Sequence, residues 1–215
     1  MRVVLASGNA NKLAELQALL ADVAVELTAQ GSLGVAAAEE PHITFIENAL
    51  AKARHAAAAT GCAAIADDSG VCVDALGGAP GVISAHYAGE VPAEHGDFGA
   101  AAERETRRRA QDAANNNRLL SALHGVADRR ACFVCTLVAV KHADDPQPLV
   151  AVGRWPGEIL MAARGTAGFG YDPLMFIRAQ GRTVAEMQVQ LKNAISHRAI
   201  ASAQLCSLLH EVWRL

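Results

Sequence analysis

CAAIADDSGVCVDALGGAPG, residues 62–81, is the stretch on which the reading of this chain turns. Its first five residues, 62–66, form a short apolar run that reads as a buried strand. Asp67 and Asp68 end that run, Ser69-Gly70 turns the chain, and 71–73 reads as a second short strand. Between Ala66 and Gly81 lie three carboxylates, one hydroxyl and five glycines or prolines, a composition suited to an active-site loop. Adjacent carboxylates at a strand end must be solvated, hydrogen-bonded or bound to a cation, because an unpaired buried charge is costly. Two readings follow: a surface turn rich in Asx-type hydrogen bonds, or a site for a hard cation such as Mg²⁺ with oxygen ligands.

Outward from this stretch, strands and helices alternate. Arg2–Ala6 predicts a strand, and Lys12–Leu20, with Leu13, Leu16, Leu19 and Leu20 at helical spacing, predicts the helix after it. Val23–Leu27 predicts another strand. Thr44 and Glu47 fit a capping box opening an alanine-rich helix that runs to Thr60. A loop from Pro92 leads into an amphipathic helix ending near Leu123. Residues 131–141 and 149–154 predict two strands, 165–173 a glycine-rich loop, and 194–213 a closing helical segment. The pattern is α/β with a mixed sheet.

Composition narrows the function. Of 215 residues, 52% are hydrophobic and 19% charged, as in a globular protein. Aromatics at 4% and a net charge of −3 argue against a stacking platform or basic surface for nucleic acid. Glu103, Glu105 and Asp112 interleave with Arg107–Arg109, which therefore reads as a solvated helix face. No apolar stretch is long enough to span a bilayer, so we expect a soluble, cytoplasmic protein without a membrane partner. Five cysteines suit a reducing compartment. Cys132 and Cys135 lie three apart in a predicted strand, pointing to opposite faces, so their CxxC is read as core cysteine.

Three constellations carry chemistry. Ser7-Gly8-Asn9-Ala10-Asn11-Lys12 stands at a strand-to-helix turn, where free N–H groups and a lysine attract phosphate; an ordinary N-cap at Asn9 or Asn11 is the alternative. No Walker pattern is present. Glu39-Glu40 and Asp67-Asp68 are acidic, and Asn48, Lys52 and His55 share a helix face, so a glutamate and an aspartate can ligate one Mg²⁺ beside a phosphate-binding lysine. A solvated loop and an exposed lysine are the plainer alternatives. Finally, Phe169-Gly170-Tyr171-Asp172 with Lys192, His197 and Arg198 offers a stacking ring and mixed hydrogen-bonding groups for a purine. Ser196-His197 is no serine-hydrolase pair, since helix neighbours do not face each other and no GxSxG elbow exists.

Taken together, Ser-Gly-Asn-x-x-Lys at 7–12, TFIENAxxKA at 44–53, DDSG at 67–70, GGAPG at 77–81, GFGYDP at 168–173 and SHR at 196–198 resemble the inosine triphosphate pyrophosphatase family over nearly the whole chain. The resemblance implies Mg²⁺-dependent hydrolysis of ITP, dITP and XTP to monophosphate and pyrophosphate. It implies one domain of two lobes on an elongated mixed sheet, with the nucleotide in a cleft between lobes and a homodimer as the assembly. By motif, Asp68 matches the proton acceptor and metal ligand, and Glu40 the second metal ligand, with Glu39 as the alternative register. Ser7, Gly8, Asn9, Ala10, Asn11, Lys12, Lys52 and Ser69 match the triphosphate side. Phe169, Gly170, Tyr171, Asp172, Lys192, His197 and Arg198 match the base and remaining nucleotide contacts. Two departures stand out: residues 93–114 read as a surface insertion, and Ser7 stands where threonine is common.

Overall fold

The computed structural model of the protein describes residues 1–7, 10–20, 23–91 and 100–215, with side chains for all of these except 10–13, 100–102 and 104. Seven strands are hydrogen-bonded in the order β2-β1-β3-β4-β5-β6-β7: β1 is Arg2–Ala6, β2 Glu26–Ala29, β3 Ala63–Val73, β4 Arg130–Val140, β5 Leu149–Ile159, β6 Met175–Ile177 and β7 Arg182–Thr183. β1 pairs in parallel with β2 and β3, whereas β6 pairs antiparallel with β5 and β7, so the sheet is mixed. The helices are α1 Ala10–Leu19, α2 Phe45–Thr60, α3 Ala100–Ala122, α4 Val189–Ile195 and α5 His197–Leu208.

The chain divides into two compact units, the first comprising Met1–Ser69, Val134–Trp155 and Asn193–Leu215, the second Gly70–Phe133 and Pro156–Lys192. In the first unit, side-chain alternation sorts the sheet residues onto two faces. Val3 and Leu5 of β1, Ile65 of β3 and Leu137 of β4 pack with Leu16 of α1 and Ala201 and Leu205 of α5. Val4, Ala6, Ala64, Ala66 and Val138 point the other way, onto the alanine stripe Ala49, Ala53, Ala56 and Ala57 of α2. Small residues on both sides let α2 lie close to the strands. In the second unit the interior includes Val71, Val73, Leu119, Leu123, Phe133, Leu174 and Met175, all buried.

Several sequence expectations need correction. β3 is one strand from Ala63 to Val73 and does not turn at Ser69-Gly70; ladder pairing overrides the local turn preference of Asp-Asp-Ser-Gly. β2 runs Glu26–Ala29 rather than 23–27, because its register sets Arg2 opposite Glu26 and Leu5 opposite Ala29. β5 extends five residues beyond Arg154. The closing helix is interrupted at Ser196, whose extended backbone caps α5 and whose Oγ accepts from the Ala199 N–H at 3.2 Å. Thr44 caps α2 as expected, but Glu47 returns to the Thr44 hydroxyl, 2.6 Å away, completing only half of a capping box. Residues 100–114 of the expected insertion form the first part of α3, and 93–99 lie outside the described residues. Cys132 is half-buried and Cys135 buried, both as free thiols.

Candidate active site

Because β3 continues through its acidic pair, Asp67 and Asp68 project to opposite faces. Both are nearly inaccessible, at 2% and 4% exposure, so each needs its own compensating charge.

On the α2 face, Lys52 Nζ donates to Asp68 Oδ1 and to Glu40 Oε2, each at 3.0 Å. Glu40 reaches this lysine because its loop is fastened to α2 at two points. The Asn48 side chain accepts from the His42 N–H at 3.0 Å and donates to the His42 carbonyl at 3.1 Å, while His55 Nε2 lies 3.1 Å from the Ala36 carbonyl. Asn48, Lys52 and His55 thus act from one helix face, as their spacing predicts. Burial pulls the Lys52 ammonium down most strongly, but the charges of Asp68 and Glu40 and their hydrogen bonds outweigh it, leaving the pKa above the ordinary lysine value.

On the other face, Asp67 Oδ2 accepts from Ser69 Oγ at 2.6 Å, Cys135 Sγ at 3.1 Å and Arg198 Nε at 3.4 Å. Arg198 also pairs through Nη1 with Glu15 of α1, and its Nη2 lies 3.5 Å from Ser69 Oγ. Burial opposes the charge on Arg198, yet the surrounding carboxylates hold its pKa above the usual arginine value. Burial, aided by the Asp67 charge, pushes the Cys135 thiol up, so it stays protonated. His197 opens α5 and stacks on Trp155, with ring centroids 6.3 Å apart. Gly153 makes that approach possible: a Cβ there would stand 1.8 Å from the His197 carbonyl oxygen.

The second unit holds Phe169–Asp172 and Lys192. Asp172 Oδ2 accepts from the Phe169 N–H and from Lys192 Nζ, both at 3.0 Å. Lys192 Nζ lies 4.5 Å from the Phe169 ring centroid and the Arg108 guanidinium 5.7 Å from it. Helix α3 grips both polar groups of Gly170: Asp112 Oδ2 accepts its N–H at 2.8 Å, and Asn116 Nδ2 donates to its carbonyl at 3.0 Å. Burial raises the Asp112 pKa. Tyr171 is buried, and its hydroxyl donates to the Ser84 carbonyl at 2.8 Å, so it serves as an anchor while the half-buried Phe169 ring remains the stacking candidate.

The structure thus brings Glu40, Lys52 and Asp68 together, gathers Ser69 and Arg198 around Asp67, and joins Phe169, Gly170, Asp172 and Lys192. Glu40, not Glu39, contacts Lys52. Ser7 follows β1 directly, its N–H bonded to the Leu5 carbonyl. Gly8 and Asn9 lie outside the described residues, as do the side chains of Ala10, Asn11 and Lys12. Sequence reading missed Glu15, Trp155, Asp112 and Asn116. For the last two a helical signal existed, since Arg108, Asp112 and Asn116 recur every four residues and share a face. Arg108, expected as solvated, is half-buried against Glu105, Asp112 and Phe169.

Glu40 and Asp68 suit a hard divalent cation, because both present carboxylate oxygens to one shared positive neighbour. Among the described residues no three His, Cys, Asp or Glu side chains converge. Two carboxylates fit a Mg²⁺ ion, which keeps waters and substrate phosphates as its remaining ligands, rather than a metal needing a full protein cage.

Comparison with known proteins identifies a family. The model of the Ham1 family matches residues 3–208. A dITP/XTP pyrophosphatase of Methylibium petroleiphilum is 66% identical over 99% of each chain, and one of Leptothrix cholodnii is 64% identical over 100% of each. The solved structure of a HAM1 protein from Coxiella burnetii superposes with a TM-score of 0.85 at 42% identity, covering 99% of this chain and 100% of that one.

Proposed function

The chain belongs to the Ham1 family, and on that premise we propose that it hydrolyses deaminated purine nucleoside triphosphates, ITP, dITP and XTP, to the monophosphate and pyrophosphate with Mg²⁺. The observation that carries this reading is the Glu40–Lys52–Asp68 cluster, two carboxylates and an ammonium in contact on one face of β3. Magnesium held by Glu40 and Asp68 would draw charge from the triphosphate oxygens. Asp68 orients a water and takes its proton as the oxygen attacks the α-phosphorus; the bond to the bridging oxygen breaks and pyrophosphate leaves. Lys52 offsets phosphate charge in this scheme, and Ser69 of β3 is a further triphosphate contact.

His197 and Arg198 are proposed to contact the base, Arg198 from a guanidinium fixed by Asp67 and Glu15. Phe169–Asp172 and Lys192 supply the remaining nucleotide contacts. Donors aimed at a 6-keto oxygen are left unpaired against the amino group of adenine, a mismatch worth roughly four powers of ten in kcat/KM. The homodimer and a cytoplasmic nucleotide pool, without nucleic acid as partner, belong to the same proposal. No helix among the described residues is long and apolar enough to cross a membrane.

The test is pyrophosphate release with Mg²⁺ from ITP, dITP and XTP beside ATP, GTP, CTP and UTP, for wild type and Asp68→Asn. Turnover confined to the deaminated purines and reduced about 10²-fold or more in Asp68→Asn is expected. A folded wild type that turns over none of the deaminated purines refutes the proposal.

A further inference from the structure

We infer that Lys52 is the resident counter-ion of the metal pair, so that the free protein excludes a bare divalent cation and accepts one only as a metal–nucleotide complex. The inference rests on the reading that Glu40 and Asp68 are the metal ligands. Three observations support it.

The lysine engages both carboxylates equally, at 3.0 Å to each, through Asp68 Oδ1 and Glu40 Oε2. An ammonium bonded to both oxygens competes for them with any other cation. The contact is also shielded: the Lys52 side chain is 12% exposed and that of Asp68 6%, so charges interact more strongly than they would in water. Lastly, the arrangement is built. Asn48 and His55 tie the loop to α2 at His42 and Ala36, on either side of Glu40, which holds its carboxylate beside Lys52 although Glu40 itself is exposed.

Among the described residues in contact there, two carboxylates and one ammonium leave a single net negative charge, a weak pull on a fully hydrated divalent ion. A triphosphate changes the balance. It brings its own cation and offers Lys52 anionic oxygens, charge-assisted partners as good as the carboxylates it leaves. Lys52 would then move from carboxylate to phosphate as the metal moves onto Glu40 and Asp68. One lysine thereby couples metal entry to substrate entry.

The experiment measures Mn²⁺ binding without nucleotide, from the EPR signal of free Mn²⁺, for wild type, Lys52→Met and Lys52→Gln, and for each lysine variant combined with Asp68→Asn. Thermal melts verify folding, and the glutamine variant keeps a polar group should methionine be poorly tolerated. Both lysine variants are expected to bind Mn²⁺ about tenfold or more tighter than wild type, because a competing charge a few ångströms away has gone, and Asp68→Asn should abolish the gain. If the lysine variants bind no tighter while Mn²⁺ binding still depends on Asp68, the counter-ion role is overturned and the metal pair stands. If the gain survives Asp68→Asn, the metal pair fails and the inference fails with it.

Discussion

Replacing Arg198 with methionine should unfold the protein far more easily than its position in a candidate substrate site would suggest. The guanidinium is 2% exposed and faces Asp67, whose side chain is fully buried, and Glu15, which is 15% exposed. Methionine fills similar space but leaves Asp67 ionised against Ser69 and Cys135 alone among the partners described above. Removing one member of a buried pair in this way costs about 3–5 kcal/mol. For a chain of this length each kcal/mol shifts the melting temperature by about 2–4 °C, so a fall of roughly 6–20 °C is expected. Urea denaturation followed by circular dichroism and by tryptophan fluorescence gives the free energy and shows whether the two probes agree. Adding Asp67→Asn to Arg198→Met should recover much of the loss, because the buried charge that faced the guanidinium is gone. A loss under about 1 kcal/mol for Arg198→Met, or a double variant whose loss equals the sum of the singles, would refute the account of a buried, mutually compensating pair.

Three further predictions concern the second unit. Gly168→Ala should raise KM for ITP and lower the melting temperature, because Gly168 has φ +78° and a Cβ there would stand 2.0 Å from Asp172 Oδ2; unchanged kinetics would show that the Phe169 loop is not a substrate contact. Tyr171→Phe should cost about 0.5–1.5 kcal/mol in urea by removing one of two donors to the Ser84 carbonyl, the Asn115 amide at 3.3 Å remaining, while kcat/KM for ITP stays within about threefold, since its hydroxyl is spent on the backbone; a large kinetic loss would make Tyr171 the substrate contact. Hydrogen bonds from Arg108, then Arg109, hold the Glu105 pKa down at about 2 against an ordinary 4.5. Its stabilising contribution is therefore complete above the ordinary value and is lost as pH falls toward 2; carboxyl NMR should place the midpoint well below 4.5 in low salt and nearer to it in high salt, because the group is 42% exposed. A low-salt midpoint at the ordinary value would refute the pairing.

Much of the fold was legible because its signals are local. Continuous, mostly apolar runs marked β1 and β4, the Thr44 cap marked α2, and the spacing of Asn48, Lys52 and His55 placed three side chains on one face. The errors share a cause. Asp-Asp-Ser-Gly are strong turn formers, yet β3 runs through them, since pairing with distant strands outweighs a local preference. The partners of Arg198 could not be read at all: Glu15 lies 183 residues away and Asp67 131, and nothing near either marks the meeting. Such pairs are decided by tertiary packing, whereas the motifs that carry the family resemblance are compact stretches of chain.

The alternation of Asp67 and Asp68 has a consequence for how firmly β3 is threaded. A slip of one residue along the ladder would exchange the two carboxylates between faces, bringing Asp67 toward Lys52 and Asp68 toward Arg198. It would also carry Ala64 and Ile65 to the wrong sides, setting isoleucine against a helix face shaped for alanine. Charge would not forbid the slip, since each face would still receive an aspartate. Methyl groups would: in this strand the bulk of Ile65 and the smallness of its neighbours keep the lysine-facing acid apart from the arginine-facing one.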